Sequence, residues 1–255
     1  MIAYESNTSF YVTLQSNASL DVFSNNNPSR FLNKLHSIIQ CSPQQRWRVG
    51  LAEIHVPTTS YNVIHGQNKI TWREEIKDRI AIRTRRVTPG YYHTIAQLVR
   101  QINSADSPFT LTINSELQTI EVSVESNVTS LHFSPILALQ LGFDPNRNIV
   151  KQIHSDKVPS LTIGYPQQVF VYTDLVDFQF VGDVKAPLLR IASAPLNQYG
   201  RMQTIPFNPI HYLPLSKFTF DTIKIILRDG SGRMLPFAFG TCSVKLHFQR
   251  EDNDM

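Results

Sequence analysis

Cysteine, charge and long apolar runs are all scarce in this sequence of 255 residues. The two cysteines, Cys41 and Cys242, stand far apart and no CxxC pair occurs, which excludes a disulfide framework and disfavours a zinc site. No stretch approaches 18 apolar residues, so we expect no membrane-spanning helix. The first residues, MIAYESNTSF, lack a basic region followed by an apolar run. We therefore expect no signal peptide, and maturation in a reducing compartment.

Charged residues make up 17% of the chain, against roughly 25% in an average soluble protein, while the apolar fraction of 42% is ordinary. Low charge is typical of surfaces that other subunits cover, although a weakly charged monomer fits the composition equally well. The net charge of +4 is too mild to indicate a nucleic-acid-binding protein. One basic cluster, Arg83, Arg85 and Arg86 in IRTRRV, is either a solvated turn or a contact with nucleic acid.

Local signatures of catalysis and of cofactor binding are missing. No HxH or HExxH occurs among the eight histidines, and neither GxSxG, GxxxxGK[ST] nor GxGxxG is present. We therefore predict no cofactor, no metal and no small-molecule substrate.

Aspartates near the stretch FQFVGDVKAPLLRI are the best candidates for enzymatic chemistry. Asp174, Asp177 and Asp183 could form a carboxylate pair of the glycosidase type. Asp174 and Asp177 point to opposite faces of a regular strand, however, and Gly182 with Asp183 is typical of a turn or bulge. Pro187 cannot donate in a central ladder. We interpret Asp177, Gly182, Asp183 and Pro187 as a structural strand corner.

Most of the chain has the pattern of short antiparallel strands separated by turns rich in proline, asparagine and serine. In SVKLHF, Val244, Leu246 and Phe248 alternate with polar residues, which predicts one buried face. In WRVGLAEIHV the apolar residues change parity midway, so we predict burial on both faces. The turn DGSG, with Gly230, separates two late strands. The pattern predicts a β-sandwich formed by residues 1–85 and 151–255.

Residues 86–150 have a different pattern, which predicts a small inserted α+β unit of strand, helix, hairpin and helix. The first helix follows from the spacing of Ile95, Leu98, Val99 and Ile102. A hairpin of FTLTI and LQTIEVSV comes next. The second helix follows from an N-cap, a first-turn proline and a terminating glycine, namely Ser134, Pro135 and Gly142.

Several long segments resemble one known family. FYVTLQSNASLDVFSNNNPSRFLNKL and WRVGLAEIHVPTTSYNV resemble the start of the minor capsid (penton) proteins of Polinton/Maverick elements and adintoviruses. VYTDLVDFQFVGDVKAPLLRIASAP and IPFNPIHYLPLSKFTFDTIKIILRDGSGRMLPFAFGTCSVKLHF resemble that family's closing strands. The segments GYYHTIAQLVRQIN and LHFSPILALQLGF are similar to its insertion. The match covers nearly the whole chain in order, without a catalytic motif.

The resemblance implies a mainly β fold, a single jelly roll with an α+β insertion. It implies a homopentamer at the five-fold vertices of an icosahedral capsid, beside a double jelly-roll major capsid protein. The protein would be made and assembled inside the host cell and located in the virion. Arg83, Arg85 and Arg86 would then face packaged DNA at the inner capsid surface, and Asp177 and Asp183 would fix turns or subunit contacts.

Two other functions remain open from the residues themselves. A carbohydrate-binding sandwich needs exposed aromatic platforms, for which the sequence offers Trp47, Trp72 and the pair Tyr91 and Tyr92. A carboxylate-dependent hydrolase would use the three aspartates described above. The carbohydrate-binding module requires a groove, and the hydrolase requires converging carboxylates. A capsid subunit requires self-assembly instead.

Overall fold

The computed structural model describes residues 2–3, 8–77, 79–103, 107–193 and 199–251. Within these ranges the strands are β1 (Ile2–Ala3), β2 (Ser9–Gln15), β3 (Arg30–Gln40), β4 (Trp47–Pro57), β5 (Lys69–Ile76), β6 (Arg79–Arg86), β7 (Phe109–Asn114), β8 (Thr119–Val124), β9 (Val128–Phe133), β10 (Ile153–His154), β11 (Gln168–Thr173), β12 (Gln179–Val181), β13 (Val184–Ala186), β14 (Leu188–Ser193), β15 (Met202–Pro206), β16 (Tyr212–Pro214), β17 (Thr219–Arg228) and β18 (Ser243–Arg250). The helices are α1 (Ile95–Ile102) and α2 (Pro135–Gln140). The predicted mainly β fold is confirmed.

The chain divides into two compact units, one formed by residues 1–60 and 166–255 and the other by residues 61–165. These boundaries differ from the predicted ones at 85/86 and 150/151. Strand β5, which we had assigned to the sandwich together with β6, pairs with β6 on one edge and with β9 on the other. At the other boundary, β10 pairs with β8. Pairing therefore places both segments in the second unit, which corrects the predicted boundaries.

The first unit is a jelly roll of two sheets. One sheet has the order β15-β4-β18-β2, with β16 also paired to β4, and the other has the order β1-β3-β17-β11-β14. The antiparallel neighbours form nested pairs, with β2 on β18, β3 on β17, β4 on β15, and β11 on β14 innermost. Two sheets built from such nested pairs define the jelly-roll architecture.

The core of the first unit follows the alternation of its strands. Val244, Leu246 and Phe248 of β18 are fully buried, as predicted. They pack with apolar side chains of both sheets, among them Phe10, Leu14, Phe31, Val49, Leu51, Ile54, Val171, Ile223, Ile225 and Leu227. One buried face in each sheet encloses this core, as in other sandwiches.

Strand β4 contains a bulge that explains its change of parity. Leu51 pairs with Leu246 and Glu53 with Lys245, so Ala52 has no opposite residue in β18. An extra residue shifts the following side chains to the other parity without changing the face they occupy. Trp47, Val49, Leu51, Ile54 and Val56 consequently join one core. Strand β4 therefore has one buried face that continues across the bulge, and the predicted burial on both faces is wrong.

The second unit combines two three-stranded sheets, β6-β5-β9 and β10-β8-β7, with both helices. The predicted helix α1 is confirmed, because Leu98, Val99 and Ile102 are buried and Thr94 Oγ1 accepts a hydrogen bond from Gln97 N at 3.2 Å. Strand β9 was not predicted from the sequence.

Helix α2 begins and ends largely as predicted. Pro135 occupies its first turn, and Gly142 follows it with φ +85°, where a Cβ would lie 2.1 Å from the carbonyl oxygen of Lys157. Ser134, the predicted cap, makes no side-chain capping bond. Its Oγ accepts instead from the backbone N of Lys69, at 3.1 Å.

Candidate functional site

The segment between β11 and β14 forms a small projecting hairpin. Strands β12 and β13 pair with Gln179 opposite Ala186, and a two-residue loop of Gly182 and Asp183 joins them. Gly182 has φ +63°, whereas Asp183 is not among the residues with positive φ, as a type II′ turn requires. The sequence FQFVGDVKAPLLRI therefore forms a hairpin and the strand that follows it.

Asp174 and Asp177 line one groove beside the hairpin, so the prediction that they point to opposite faces is wrong, whereas Asp183 lies in the hairpin loop. Asp174, just after β11, accepts a hydrogen bond from Lys217 Nζ at 2.8 Å and another from the backbone N of Lys224 at 2.9 Å. Asp177 and Asp183 are exposed. Among the described residues, no group of three or more histidines, cysteines, aspartates or glutamates could hold a metal ion. Asp174 thus links the chain after β11 to Lys217 and to the backbone of β17.

A groove of about 320 Å³ lies beside the hairpin. Its lining is mixed, with Tyr172, Val176, Phe178, Pro187 and Ile226 supplying apolar surface and Asp174, Asp177 and Lys224 supplying charge. Phe178 and Phe180 are 69% and 76% exposed, and Val184 is 55% exposed. Large apolar side chains exposed together on one element are typical of a protein–protein contact.

The turn after β17 is organised by Asp229 rather than by Gly230. The Asp229 carboxylate accepts hydrogen bonds from Ser231 N at 2.9 Å, Ser231 Oγ at 2.7 Å, Arg233 N at 3.0 Å and Arg233 Nε at 3.1 Å. Burial opposes ionisation, but the hydrogen bonds from Ser231 and Arg233 outweigh it and keep the pKa of Asp229 below its usual value. Gly232, with φ +79°, takes the left-handed conformation in this turn.

The three arginines of the basic cluster are not on one face of β6. Arg83 donates from Nε to Glu74 Oε1 at 2.9 Å. Arg85 donates from an amino group to Ser107 Oγ at 2.7 Å and lies over the ring of Phe109 at 5.9 Å, and burial lowers its pKa. Arg86 is exposed and, by the alternation of β6, faces the opposite side. Two of the three side chains therefore have contacts within the second unit.

Buried cysteines exclude an activated thiol at either position. Cys41 and Cys242 are free and 1% exposed. Burial raises the pKa of Cys41 to about 11 and also raises that of Cys242. A thiolate is the reactive form, so both residues behave as apolar core side chains at neutral pH.

The aromatic residues considered for sugar binding are largely unavailable. Trp47 and Trp72 are 3% and 8% exposed. The hydroxyl of Tyr92 donates to the carbonyl oxygen of Thr88 at 2.8 Å, and the ring of Tyr91 packs edge-on against Tyr165. The described residues thus provide no exposed tryptophan platform, which weakens the carbohydrate-binding interpretation.

The outer face of sheet β15-β4-β18-β2 carries an aromatic and basic cluster that was not predicted from the sequence. His247 stacks on Tyr11 at 4.3 Å and shares a hydrogen bond of 2.6 Å with the Tyr212 hydroxyl. Arg48 lies over Tyr212 at 4.8 Å, and Lys245 lies over Tyr11 at 5.0 Å. Burial lowers the pKa of His247, so its ring is neutral at pH 7. Sequence alternation indicated only that this side of β18 was polar.

Comparison with known proteins adds a fold relationship. No protein-family model matches the sequence, and no curated protein matches it. Among solved structures, jelly-roll proteins of virus particles are similar. The mavirus penton protein matches with a TM-score of 0.50 and 12% identity, covering 96% of this chain and 100% of its own. A chain of the Sputnik virophage, solved by cryo-EM, matches with a TM-score of 0.44 and 10% identity, covering 96% of this chain and 98% of its own. The jelly-roll fold that the family resemblance implied is confirmed.

The described residues contain no helix that is both long and apolar enough to cross a membrane.

Proposed function

We propose that this protein is a structural subunit of an icosahedral capsid, a minor capsid (penton) protein that forms homopentamers at the five-fold vertices. The observation that carries the proposal is the end-to-end similarity of fold to the mavirus penton protein, which includes the jelly roll and the insertion alike. Its expected partners are further copies of itself and a double jelly-roll major capsid protein. It would be assembled inside the host cell, reside in the virion and catalyse no reaction.

Three features of the chain support an assembling role over an enzymatic one. Asp174, one of the aspartates proposed for a hydrolase, is engaged by Lys217 and by the backbone of Lys224, and the low fraction of charged residues suits a protein with covered surfaces. The projecting hairpin presents Phe178, Phe180 and Val184 to solvent. A closed ring of identical subunits joins different surfaces of neighbouring copies, and a projecting apolar element suits one side of such a contact.

The mass of the protein in solution tests the proposal. Light scattering after size exclusion in reducing buffer is expected to give about 145 kDa, the mass of five chains of 29.1 kDa each. Negative-stain images of that peak should show five-fold rings. A monomer would call for co-expression with the major capsid protein. Failure to form pentamers under both conditions would contradict the proposal.

We retain a DNA contact as part of the proposal, with the exposed Arg86 as its leading residue. Arg83 and Arg85 have contacts within the second unit that their removal would break. An Arg86→Ala variant is expected to release packaged DNA at lower salt than the wild-type particle, because each phosphate contact adds to the salt dependence. Unchanged DNA retention would contradict the contact.

A further inference from the structure

A cavity of about 570 Å³ opens at one end of the jelly roll, in a place that the proposed function does not use. The start of β4, the end of β16 and the chain after β18 meet there. Its walls combine apolar and cationic side chains, among them Pro43, Arg46, Trp47, Arg48, Tyr212 and Phe218. Binding sites have this character, with apolar walls and a few placed polar groups.

Arg46 and Arg48 bring two positive charges to the same side of this cavity. They are two residues apart in extended chain and flank Trp47, which points into the core. The Arg48 guanidinium is held over the Tyr212 ring at 4.8 Å and donates to Gln249 Oε1 at 3.4 Å. Its buried Nε finds no acceptor among the residues that the structure describes. Tyr212 and Gln249 thus hold the planar guanidinium of Arg48 in one orientation.

The chain's own Glu251 shows which kind of group the cavity accepts. Its carboxylate lies 3.7 Å from Arg48 and 4.0 Å from Arg46, with the Arg46 side chain 81% exposed. Both distances exceed hydrogen-bond length, so the attraction is Coulombic and the guanidinium donors remain available. An incoming carboxylate could form the bidentate bonds that Glu251 does not make.

We propose that this cavity binds an acidic, extended peptide segment of a partner protein, one of whose carboxylates replaces Glu251 beside Arg46 and Arg48. Charge complementarity defines the occupant, and the walls formed by Pro43, Pro214 and Phe218 suit an apolar side chain next to that carboxylate. The inference does not depend on the proposed capsid role, because binding at this end of one chain needs no ring.

Fluorescence anisotropy with a labelled Asp-Glu-Phe-Glu-Asp peptide tests the proposal on the full chain. The neutral peptide Asn-Gln-Phe-Gln-Asn is expected to bind at least about tenfold more weakly, as the loss of charge-assisted hydrogen bonds implies. Glu251→Gln is expected to tighten binding of the acidic peptide severalfold, because it removes the internal competitor. Arg48→Gln should weaken binding by about tenfold.

Two further variants separate binding from folding and from net charge. Arg46→Gln alters a side chain that is 81% exposed, and it should also weaken binding severalfold. Arg100→Gln makes the same charge change at an exposed position of α1 and should leave binding unchanged. Circular dichroism would verify that each variant is folded.

The proposal is overturned if the two peptides bind equally, if Arg46→Gln and Arg48→Gln behave like Arg100→Gln, or if Glu251→Gln binds no acidic peptide at millimolar concentration. A decathymidylate oligonucleotide distinguishes the other anionic class. If it binds in an Arg48-dependent way and displaces the peptide, the cavity is a phosphate site and the peptide proposal is wrong. Neither result bears on the mass of the assembled protein, so the two proposals fail independently.

Discussion

At the residue scale, the carboxylate of Asp229 organises the turn that follows β17. Four hydrogen bonds from Ser231 and Arg233 satisfy it, and its side chain is 11% exposed. We expect Asp229→Asn to lower the free energy of unfolding by about 1–3 kcal/mol at pH 7, because an amide cannot accept all of these bonds. Urea denaturation at pH 7 measures this difference.

The same residue predicts a dependence on pH. The pKa of Asp229 is lower in the folded chain than in the unfolded chain, so its stabilisation is complete above the unfolded pKa near about 4. It is lost as the pH falls through the folded pKa. The difference in free energy of unfolding between wild type and Asp229→Asn should therefore become smaller as the pH is lowered. Asp183→Asn, at an exposed turn position, should change stability by less than about 0.5 kcal/mol. If that difference in free energy stays constant down to pH 2, the ionised carboxylate of Asp229 is not its cause.

Position 50 requires glycine because residues 210 and 211 pack directly against its backbone, and not because of its backbone conformation. A Cβ at this position would lie 2.5 Å from Ile210 Cγ2 and 2.6 Å from the carbonyl oxygen of His211. Gly50→Ala is expected to displace residues 210–212 and to destabilise the chain by about 1–3 kcal/mol.

Thermal unfolding of Gly50→Ala would measure this loss, with Gly90→Ala as the matched control. A Cβ at Gly90 meets only Tyr92 Cε2, at 4.0 Å, so that variant should unfold close to the wild-type temperature. Equal unfolding midpoints for the two variants would mean that residues 210–212 move to accommodate the added methyl group without loss of stability.

At the element scale, the hairpin of β12 and β13 exposes the apolar side chains of Phe180 and Val184 to solvent. Phe180→Ser is expected to change the free energy of unfolding by less than about 0.5 kcal/mol, because the ring is 76% exposed. If the hairpin inserts between neighbouring copies, the same change should shift the mass from pentamer toward smaller species. Light scattering at a series of concentrations measures that shift.

Leu117→Ser provides the control for the hairpin. Leu117 is 62% exposed at the turn between β7 and β8, so the substitution removes a similar amount of exposed apolar surface elsewhere. We expect it to leave assembly intact. A double Phe178→Ser, Phe180→Ser variant that still forms pentamers at wild-type concentrations would exclude the hairpin from the subunit contact.

Elements whose pattern is local were predictable from the sequence. The alternation of Val244, Leu246 and Phe248 gave the buried face of β18, and the helical spacing from Ile95 to Ile102 gave α1, because both depend on residues within a few positions of each other. The turn containing Asp229 was predictable for the same reason, although sequence alone could not identify Gly232 as its left-handed residue.

Features that depend on distant partners were not predictable. The bulge at Ala52 is defined by the register of β4 against β18, nearly 200 residues away, and β9 owes its strand conformation to β5. The same reason hid the cavity beside Arg48, because its lining comes from three separate parts of the chain. Such features become visible only when the fold brings distant parts of the chain together.

At the scale of the whole molecule, the division into two units coincides with a division of the core. One cluster of buried side chains contains only residues from segments 10–56 and 169–248, and the other contains only residues from 63 to 149. Among the residues that the structure describes, neither cluster includes a buried side chain from the other unit. A domain that has its own core is expected to fold alone.

We therefore predict that a fragment of residues 61–165 folds without the jelly roll. About 105 residues are enough to bury a stable core, and the fragment contains both three-stranded sheets and both helices of the second unit. It should unfold in a single cooperative transition, with the near-ultraviolet circular dichroism signal of the buried Trp72 lost together with the far-ultraviolet signal.

Leu131→Asp within the same fragment is the matched control, because Leu131 is fully buried at the centre of β9 and a carboxylate there has no partner. That variant should be unfolded at 25 °C. A wild-type fragment lacking cooperative unfolding would show that the second core depends on the jelly roll, and the chain would then be a single folding unit with two clusters. A folded fragment would make the insertion a module that folds independently of the jelly roll.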